Sequence, residues 1–523
     1  MQKLNNFVRQ KNDKDKNIGK TLASDKFPNT MDSFWFSINP DIIISPFDFV
    51  TVKHIFETRT IGMVKELIAA EDIGTAARVA VMANTGIEND SVKTIAIGGM
   101  PVGAAKPVRF ATQREVIFAL GTPEMKNSVP VGVIEMTTGL QVPMSLDISY
   151  LLGPDTSHVN AAGISGNLKT SYLFFLLQST YQRLMKDMQE DVAIIIFNTK
   201  EDVLLHIDEK KKANKKTKKL FDLLDLEIKP FENVTYFLPR GRDGRPNSAI
   251  VPGNSKTYSF GLEDVYDRLD LLFGISDDSF DVSSILNYIY EAWPLLSGSK
   301  RLSTWSDLLE FRSYPQEVVA HKSTLLRFLS NIQRFRKSPM FIDKKVTSRY
   351  LGREIKKIRS SDVFVIDISM IPTLQEQGFV VGDVMKSIDE LYSSRQSGKR
   401  PKYILTFVDE INRFIPWSAH NISSSAVAEQ IMRTVVAGRS RGTILFSAQQ
   451  FKSTVDPALH ENTGMHIIAK LGMSELSTPH YSMIDESTKA NIARLNKGEL
   501  VMVHPAIRQP IKIVFPKNPF KTG

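Results

Sequence analysis

The sequence predicts an α/β protein. A parallel sheet with crossover helices forms its main domain, a small all-β barrel or sandwich precedes that domain, and a helical segment interrupts it. Three observations carry this prediction. From about residue 150, short continuously apolar runs alternate with amphipathic stretches, which is the pattern of strands covered by helices on both faces. Before residue 150, β-like runs recur about every ten residues between Gly, Pro and Asn, as in a barrel or sandwich. Between 254 and 345 the buried-strand runs stop and helical periodicity takes over.

The bulk composition sets limits. A chain of 523 residues is too long for one core, so two or three domains are expected. Its 42% hydrophobic and 24% charged residues are ordinary for a globular protein. There is no cysteine, which excludes disulfides, thiolate metal sites and a cysteine nucleophile and suits a reducing compartment. No apolar run reaches the roughly 18 residues of a membrane helix, and the polar start MQKLNNFVRQKNDKDK has no secretory character. A cytoplasmic protein with no membrane partner is therefore expected. Lys and Arg (66) exceed Asp and Glu (57), giving a net charge of +9. That balance permits a nucleic-acid partner without requiring one.

In chain order, residues 1–33 read as a flexible basic arm and 34–146 as the barrel domain. The barrel runs are DIIISPFDFVTVKHIF, AARVAVMA, VKTIAIGG, REVIFAL and VPVGVIEM. Residues 147–253 form the first part of the α/β core, with buried strands at DVAIIIFN and NVTYFL. Residues 254–345 form the helical insertion, carried by SSILNYIYEAW, WSDLLEF and HKSTLLRFLSNIQRF. Residues 346–515 complete the core through DVFVIDIS, KYILTFVDE, GTILFSAQQ, MHIIAKL and GELVMVHP, and 516–523 form a tail. The lysine block 209–219 reads as a solvated face or a nucleic-acid contact. The nine histidines show no metal-ligand spacing.

The chemistry centres on DTSHVNAAGISGNLKTSYLFFLLQS. Gly163, then Lys169-Thr170-Ser171 before an apolar helical run, fits a phosphate-binding loop between strand and helix. Such a loop aims backbone N–H groups and a helix N-terminus at phosphate, while its Lys reaches the β/γ-phosphates and its Thr hydroxyl ligates Mg²⁺. Gly163, Ser165, Gly166, Asn167, Lys169, Thr170 and Ser171 are the candidate ATP-binding residues. Leu168 occupies the position of the motif's last Gly, where helical dihedrals would accommodate it. The alternative is an ordinary strand–loop–helix junction with an incidental lysine.

Asp409 and Glu410 end an apolar strand, where a parallel sheet places its ligands. Asp409, with Thr170, is the candidate Mg²⁺ ligand, and Glu410 the candidate general base. The alternative is an acid pair capping the next helix. Gln449, at the tip of the following strand run, is the candidate amide for water and γ-phosphate. In AGRSRG, Arg439 or Arg441 is the candidate finger toward a neighbouring subunit's γ-phosphate; a surface ion pair is the alternative for both. Asn198 and Asp202 lie after the strand 191–198 and give only a weak signal.

Taken in order, AGISGNLKTS, DVFVIDIS, ILTFVDEINRFIP, GRSRGTILFSAQQ and KGELVMV resemble the motifs of the HerA-type branch of the HerA/FtsK ATPases. The resemblance spans roughly 35–515. It implies a RecA-like P-loop core, a small N-terminal barrel, a homo-hexameric ring, and ATP- and Mg²⁺-dependent translocation of double-stranded DNA, the helicase class of activity. It also implies a partner nuclease, or an effector such as an NAD-hydrolysing protein in antiphage (antiviral) defence. An oligomeric scaffold with a slow nucleotide site, arraying an effector, is the alternative. Three positions depart from the family pattern: Leu168 for Gly, Asn198 for Asp, and Gln450 for Arg.

Overall fold

The computed structural model describes residues 16–55, 58–88, 91–94, 99–153, 157–166, 168–273, 282–299, 302–319, 322–343, 348–393, 400–417 and 425–522. The N-terminal strands close on themselves. Ser33–Ile38, Gly19–Leu22, Pro107–Phe110, Phe49–Lys53, Arg59–Ala70 and Gly74–Glu88 pair in that order, and Gly74–Glu88 returns to pair with Ser33–Ile38. Closure of these six strands leaves Ser91–Thr94, paired with Gly74–Glu88, at the remaining sheet edge. Alternate residues point inward, so Phe34, Phe36, Val50, Val52, Val64, Val79 and Val108 fill the interior.

The barrel is pegged to the core by Lys65. Its buried ammonium lies 2.7 Å from Asp485 and donates to Thr488 (2.6 Å) and Gln509 (3.1 Å). Burial pulls the Lys65 pKa down, and Asp485 works against that fall. A buried cation needs this kind of company.

The main domain is a ten-stranded sheet among the described residues. Its order is Ser255–Tyr258, Val234–Pro239, Val363–Asp367, Val192–Asn198, Tyr403–Val408, Thr443–Gln449, Val159–Ala162, Met465–Ile468, Leu500–Val503, Ile511–Ile513. Pairing is parallel as far as Met465–Ile468 and antiparallel after it. Helices cover both faces. Lys169–Gln182 packs on one, while Leu374–Ser393, Ala426–Arg441 and the insertion pack on the other. This is the RecA-like P-loop architecture with an N-terminal barrel and an inserted helical subdomain.

The sheet order positions the site. The phosphate-loop strand Val159–Ala162 and the acid-pair strand Tyr403–Val408 flank Thr443–Gln449. All three end on the same side.

Several boundaries differ from those read in the sequence. Gly19–Leu22 is a barrel strand inside the expected arm, and four residues between polar neighbours leave no periodic signal. REVIFAL reads as a strand, but Gln113–Ala119 is a helix. Thr112 and Glu115 form a reciprocal capping box at its start, a local signal that outweighs the β-branched content. VKTIAIGG lies partly outside the described residues.

The hairpin Ser128–Glu135/Gln141–Asp147, expected in the barrel, packs on the α/β core instead. Tyr172 donates to the Val131 carbonyl (2.9 Å), and Val133 bridges Val514. Ser255–Tyr258, expected in the insertion, is an edge strand of the main sheet. The insertion begins and ends at the parallel pair Phe260–Gly261/Phe341–Ile342. The tail is also packed. Phe520 is fully buried, with its ring 5.8 Å from Phe174 and 5.4 Å from Phe231.

Phe174 thus joins the phosphate-loop helix to the sheet (Phe407, 4.7 Å) and to the tail. Phe174→Ala is expected to cost about 3–5 kcal/mol of stability, read as a lower denaturation midpoint in urea. A loss below about 1 kcal/mol would show that the tail contact contributes little.

Candidate nucleotide-binding site

The loop after Val159–Ala162 is built by its glycines and anchored by its neighbours. Gly163 has φ 150°, and a Cβ there would stand 2.6 Å from the Ala469 methyl, so no other residue fits. Gly166 has φ 82°, again a glycine conformation. The Gly163 N–H donates to the Gln450 carbonyl (3.0 Å) and the Ile164 N–H to the Lys470 carbonyl (3.1 Å). Gln450 also donates its amide to the Ser165 hydroxyl (3.2 Å). Asn167 lies outside the described residues.

Leu168 is the N-cap of the helix Lys169–Gln182 with φ 64°, ψ 24°. The expectation of helical dihedrals is therefore corrected: the backbone is left-handed, the conformation that the motif's usual glycine adopts without cost. Sequence cannot reveal this, because the loop's path is fixed by Gly163 and the helix start rather than by Leu168 itself. Thr170 and Ser171 open the helix, both partly exposed.

Lys169 is buried, and its ammonium donates to the carbonyls of Gly163 and Ile164. Burial lowers its pKa, while Asp409 favours the charged form. Its charge thus rests on the rim of its own loop.

Opposite it, the Thr170 hydroxyl lies 3.2 Å from Asp409 Oδ2. Lys200, a residue the sequence reading passed over, bridges both acids at 3.0 Å from Asp409 Oδ2 and 3.1 Å from Glu410 Oε1. Burial works against its charge, but the two carboxylates outweigh it and raise the Lys200 pKa. Glu410 has φ 52° and a second cation, Arg413, at 3.7 Å.

Asn198 explains how Lys200 arrives there. Its buried amide donates to Asp367 (2.9 Å) and to the Glu201 carbonyl (2.6 Å), which fixes the turn 199–201. The only sequence signal was the short polar run NTKED at a strand end. Asp202 lies 3.8 Å from His206 and does not join the acid pair.

Two other expectations are not met within one chain. Gln449 is buried and locked side by side with Asn160. Asn160 donates to Gln449 Oε1 (2.8 Å), and Gln449 donates back to Asn160 Oδ1 (2.7 Å). The adjacent strand supplies an amide of matching reach, so Gln450 is the amide that meets the loop. Arg439 lies in the last turn of Ala426–Arg441, just before the strand Thr443–Gln449 begins. It is therefore at the opposite end of the sheet, about 20 Å from the acids at 3.3 Å per residue; its side chain is outside the described residues. Arg441 forms an ion pair with Asp389, the alternative that the sequence left open for it.

The donor set fits a Mg²⁺ ion. A hydroxyl and a carboxylate converge, with a lysine ammonium serving as the cation between the carboxylates. Among the described residues, no helix is long and apolar enough to cross a membrane.

No protein-family model and no curated protein matches the chain. Solved structures do. VirB4 of Thermoanaerobacter pseudethanolicus is similar at 14% identity over 75% of this chain and 98% of that one, with a TM-score of 0.46. The bacterial conjugative coupling protein TrwB is similar at 12% identity over 72% and 86%, with a TM-score of 0.44. The genome packaging NTPase B204 of Sulfolobus turreted icosahedral virus 2, in complex with AMP, is similar at 14% over 32% and 72%, with a TM-score of 0.24.

Leu168→Gly is expected to raise stability by about 1 kcal/mol, since a left-handed leucine costs about 1–2 kcal/mol. Thermal unfolding checks this, and a lower midpoint would contradict it. Lys200→Ala is expected to tighten Mg²⁺ binding about fivefold, the worth of one partly exposed ion pair at ~1 kcal/mol. A Mg²⁺ titration by calorimetry in the presence of nucleotide reads the change, and weaker Mg²⁺ binding would contradict it.

Proposed function

We propose that the chain is a Mg²⁺-dependent ATP hydrolase of the HerA/FtsK type that handles duplex DNA as a ring of copies. One observation carries the ATPase reading: the helix-start pair Lys169-Thr170 and the acid pair Asp409-Glu410, far apart in sequence, meet at one end of the sheet, where the Thr170 hydroxyl lies 3.2 Å from Asp409 and Lys200 bridges both acids.

The residues divide the work. Lys169 exchanges its loop carbonyls for phosphate oxygens. Gly163, Ser165, Gly166 and Ser171 shape the loop and helix start that receive the phosphates. Thr170 and Asp409 would hold Mg²⁺, which neutralises phosphate charge when bound. Glu410, partly exposed and next to Asp409, accepts the proton of the attacking water. Lys200 holds the two carboxylates together and yields its place to the metal. Arg439 is too distant to act within its own chain, so a finger role requires a neighbouring subunit. The six-membered ring, translocation, and a nuclease or NAD-hydrolysing partner in antiphage defence rest on the sequence resemblance alone.

A second reading, an oligomeric scaffold with a slow site, is favoured by the strained Leu168 and by the Gln449–Asn160 lock. Turnover separates the two. For the ATPase, Glu410→Gln is expected to lower kcat about 10²–10⁴-fold with Mg-ATP binding intact, while Lys169→Ala abolishes binding by calorimetry. Equal, negligible rates for the wild type and Glu410→Gln would favour the scaffold.

A further inference from the structure

We infer that a second anion site, separate from the nucleotide loop, lies at the same end of the sheet and takes the phosphodiester backbone of DNA. It is a cleft of about 490 Å³. One wall is the loop 240–247 that follows Val234–Pro239, and another is the end of the insertion's helix Lys322–Arg336. In sheet order Val234–Pro239 stands three places from the acid-pair strand, about 14 Å away at the usual strand spacing.

The charge in this cleft is largely unspent. Arg242, Arg334 and Lys337 line it, are exposed, and make no ion pair among the described residues. Its two acids are engaged elsewhere. Glu376 accepts from the Thr373 N–H (3.2 Å) and hydroxyl (2.7 Å), and Asp243 accepts from the Arg245 N–H (3.0 Å). Arg334 and Lys337 complement the negative end of their own helix. Arg242 comes from a different element and has no such reason to be there. The Ser338 hydroxyl, buried in the wall, has no hydrogen-bond partner.

The loop is rigid in advance. The Gly241 N–H donates to the Arg245 carbonyl (2.7 Å), the Asn247 N–H to the Pro239 carbonyl (2.7 Å), and the Asn247 amide to the Met370 carbonyl (3.1 Å). Arg242 is therefore presented from a fixed backbone, which lowers the ordering cost of binding. Side-chain cations on two walls suit a chain of phosphates contacted without base readout.

The inference rests on the DNA-handling reading, and the test separates the two. A labelled duplex oligonucleotide is titrated by fluorescence anisotropy between about 50 and 200 mM salt. Arg242→Ala/Arg334→Ala/Lys337→Ala is expected to lose at least about tenfold in affinity. Its salt slope should fall by about 2–3, at roughly 0.9 per phosphate contact. Lys215→Ala/Lys218→Ala/Lys219→Ala removes the same charge from the exposed lysine block and should change the slope little. Both variants should bind ATP like the wild type, which also reports folding, and Arg242→Glu alone should weaken DNA in the same direction. Equal losses in the two triple variants, or a loss in the lysine-block variant alone, would overturn the cleft while leaving the DNA reading intact. Weakened ATP binding with unchanged DNA binding would assign the cleft to a nucleotide and overturn the inference. Absence of DNA binding by the wild type would overturn both.

Discussion

Two adjacent carboxylates, Asp409 and Glu410, directly follow the strand Tyr403–Val408, which is apolar but for Tyr403 and Thr406. Asp409 is only 8% exposed. Negative charge so placed must be matched by a cation within a few ångströms, and the structure meets that demand in a specific way. Asn198 and Asp367 close the turn that carries Lys200, and Lys200 then spans both acids. The phosphate-loop helix adds its Thr170 hydroxyl from the other side. The parallel order of the sheet, the buried amide at Asn198 and the sharp loop at Gly163 all serve to bring positive and hydroxyl groups to one carboxylate pair.

Much of this was legible in the sequence. Strands buried on both faces announce themselves as continuous apolar runs, and DVAIIIFN, DVFVIDIS and KYILTFVDE all became adjacent strands. Lys169, Thr170, Asp409 and Glu410 were legible because a phosphate loop and a strand-end acid pair have fixed local spacing. Lys200 and Asn160 were not. Each matters only through a neighbour that is distant along the chain, Asp409 in one case and Gln449 in the other, and no local pattern encodes such a pairing. Leu168 was misjudged for a related reason: its backbone conformation is imposed by the loop on either side of it. Gln113–Ala119 was misjudged because its β-branched, aromatic content was weighed before its cap.

The sites at the end of the sheet share one design. Strand tips supply backbone whose position is fixed by deep pairing, and buried side-chain amides tie the connecting turns down. Asn198 does this for the turn of Lys200, and Asn247 does it for the loop of Arg242. In both cases a neutral amide sets where a charged side chain stands.

The parallel pair Phe260–Gly261/Phe341–Ile342 has a consequence for the chain's history. It brings the two ends of the helical insertion to one strand spacing, about 4.8 Å. Closing a loop between fixed, adjacent ends depends only weakly on its length, about 0.6 kcal/mol for each doubling. The segment between those ends can therefore grow, shrink or be exchanged with little strain on the sheet beneath it. This chain has a built-in docking port at which new helices can be acquired without redesigning the sheet.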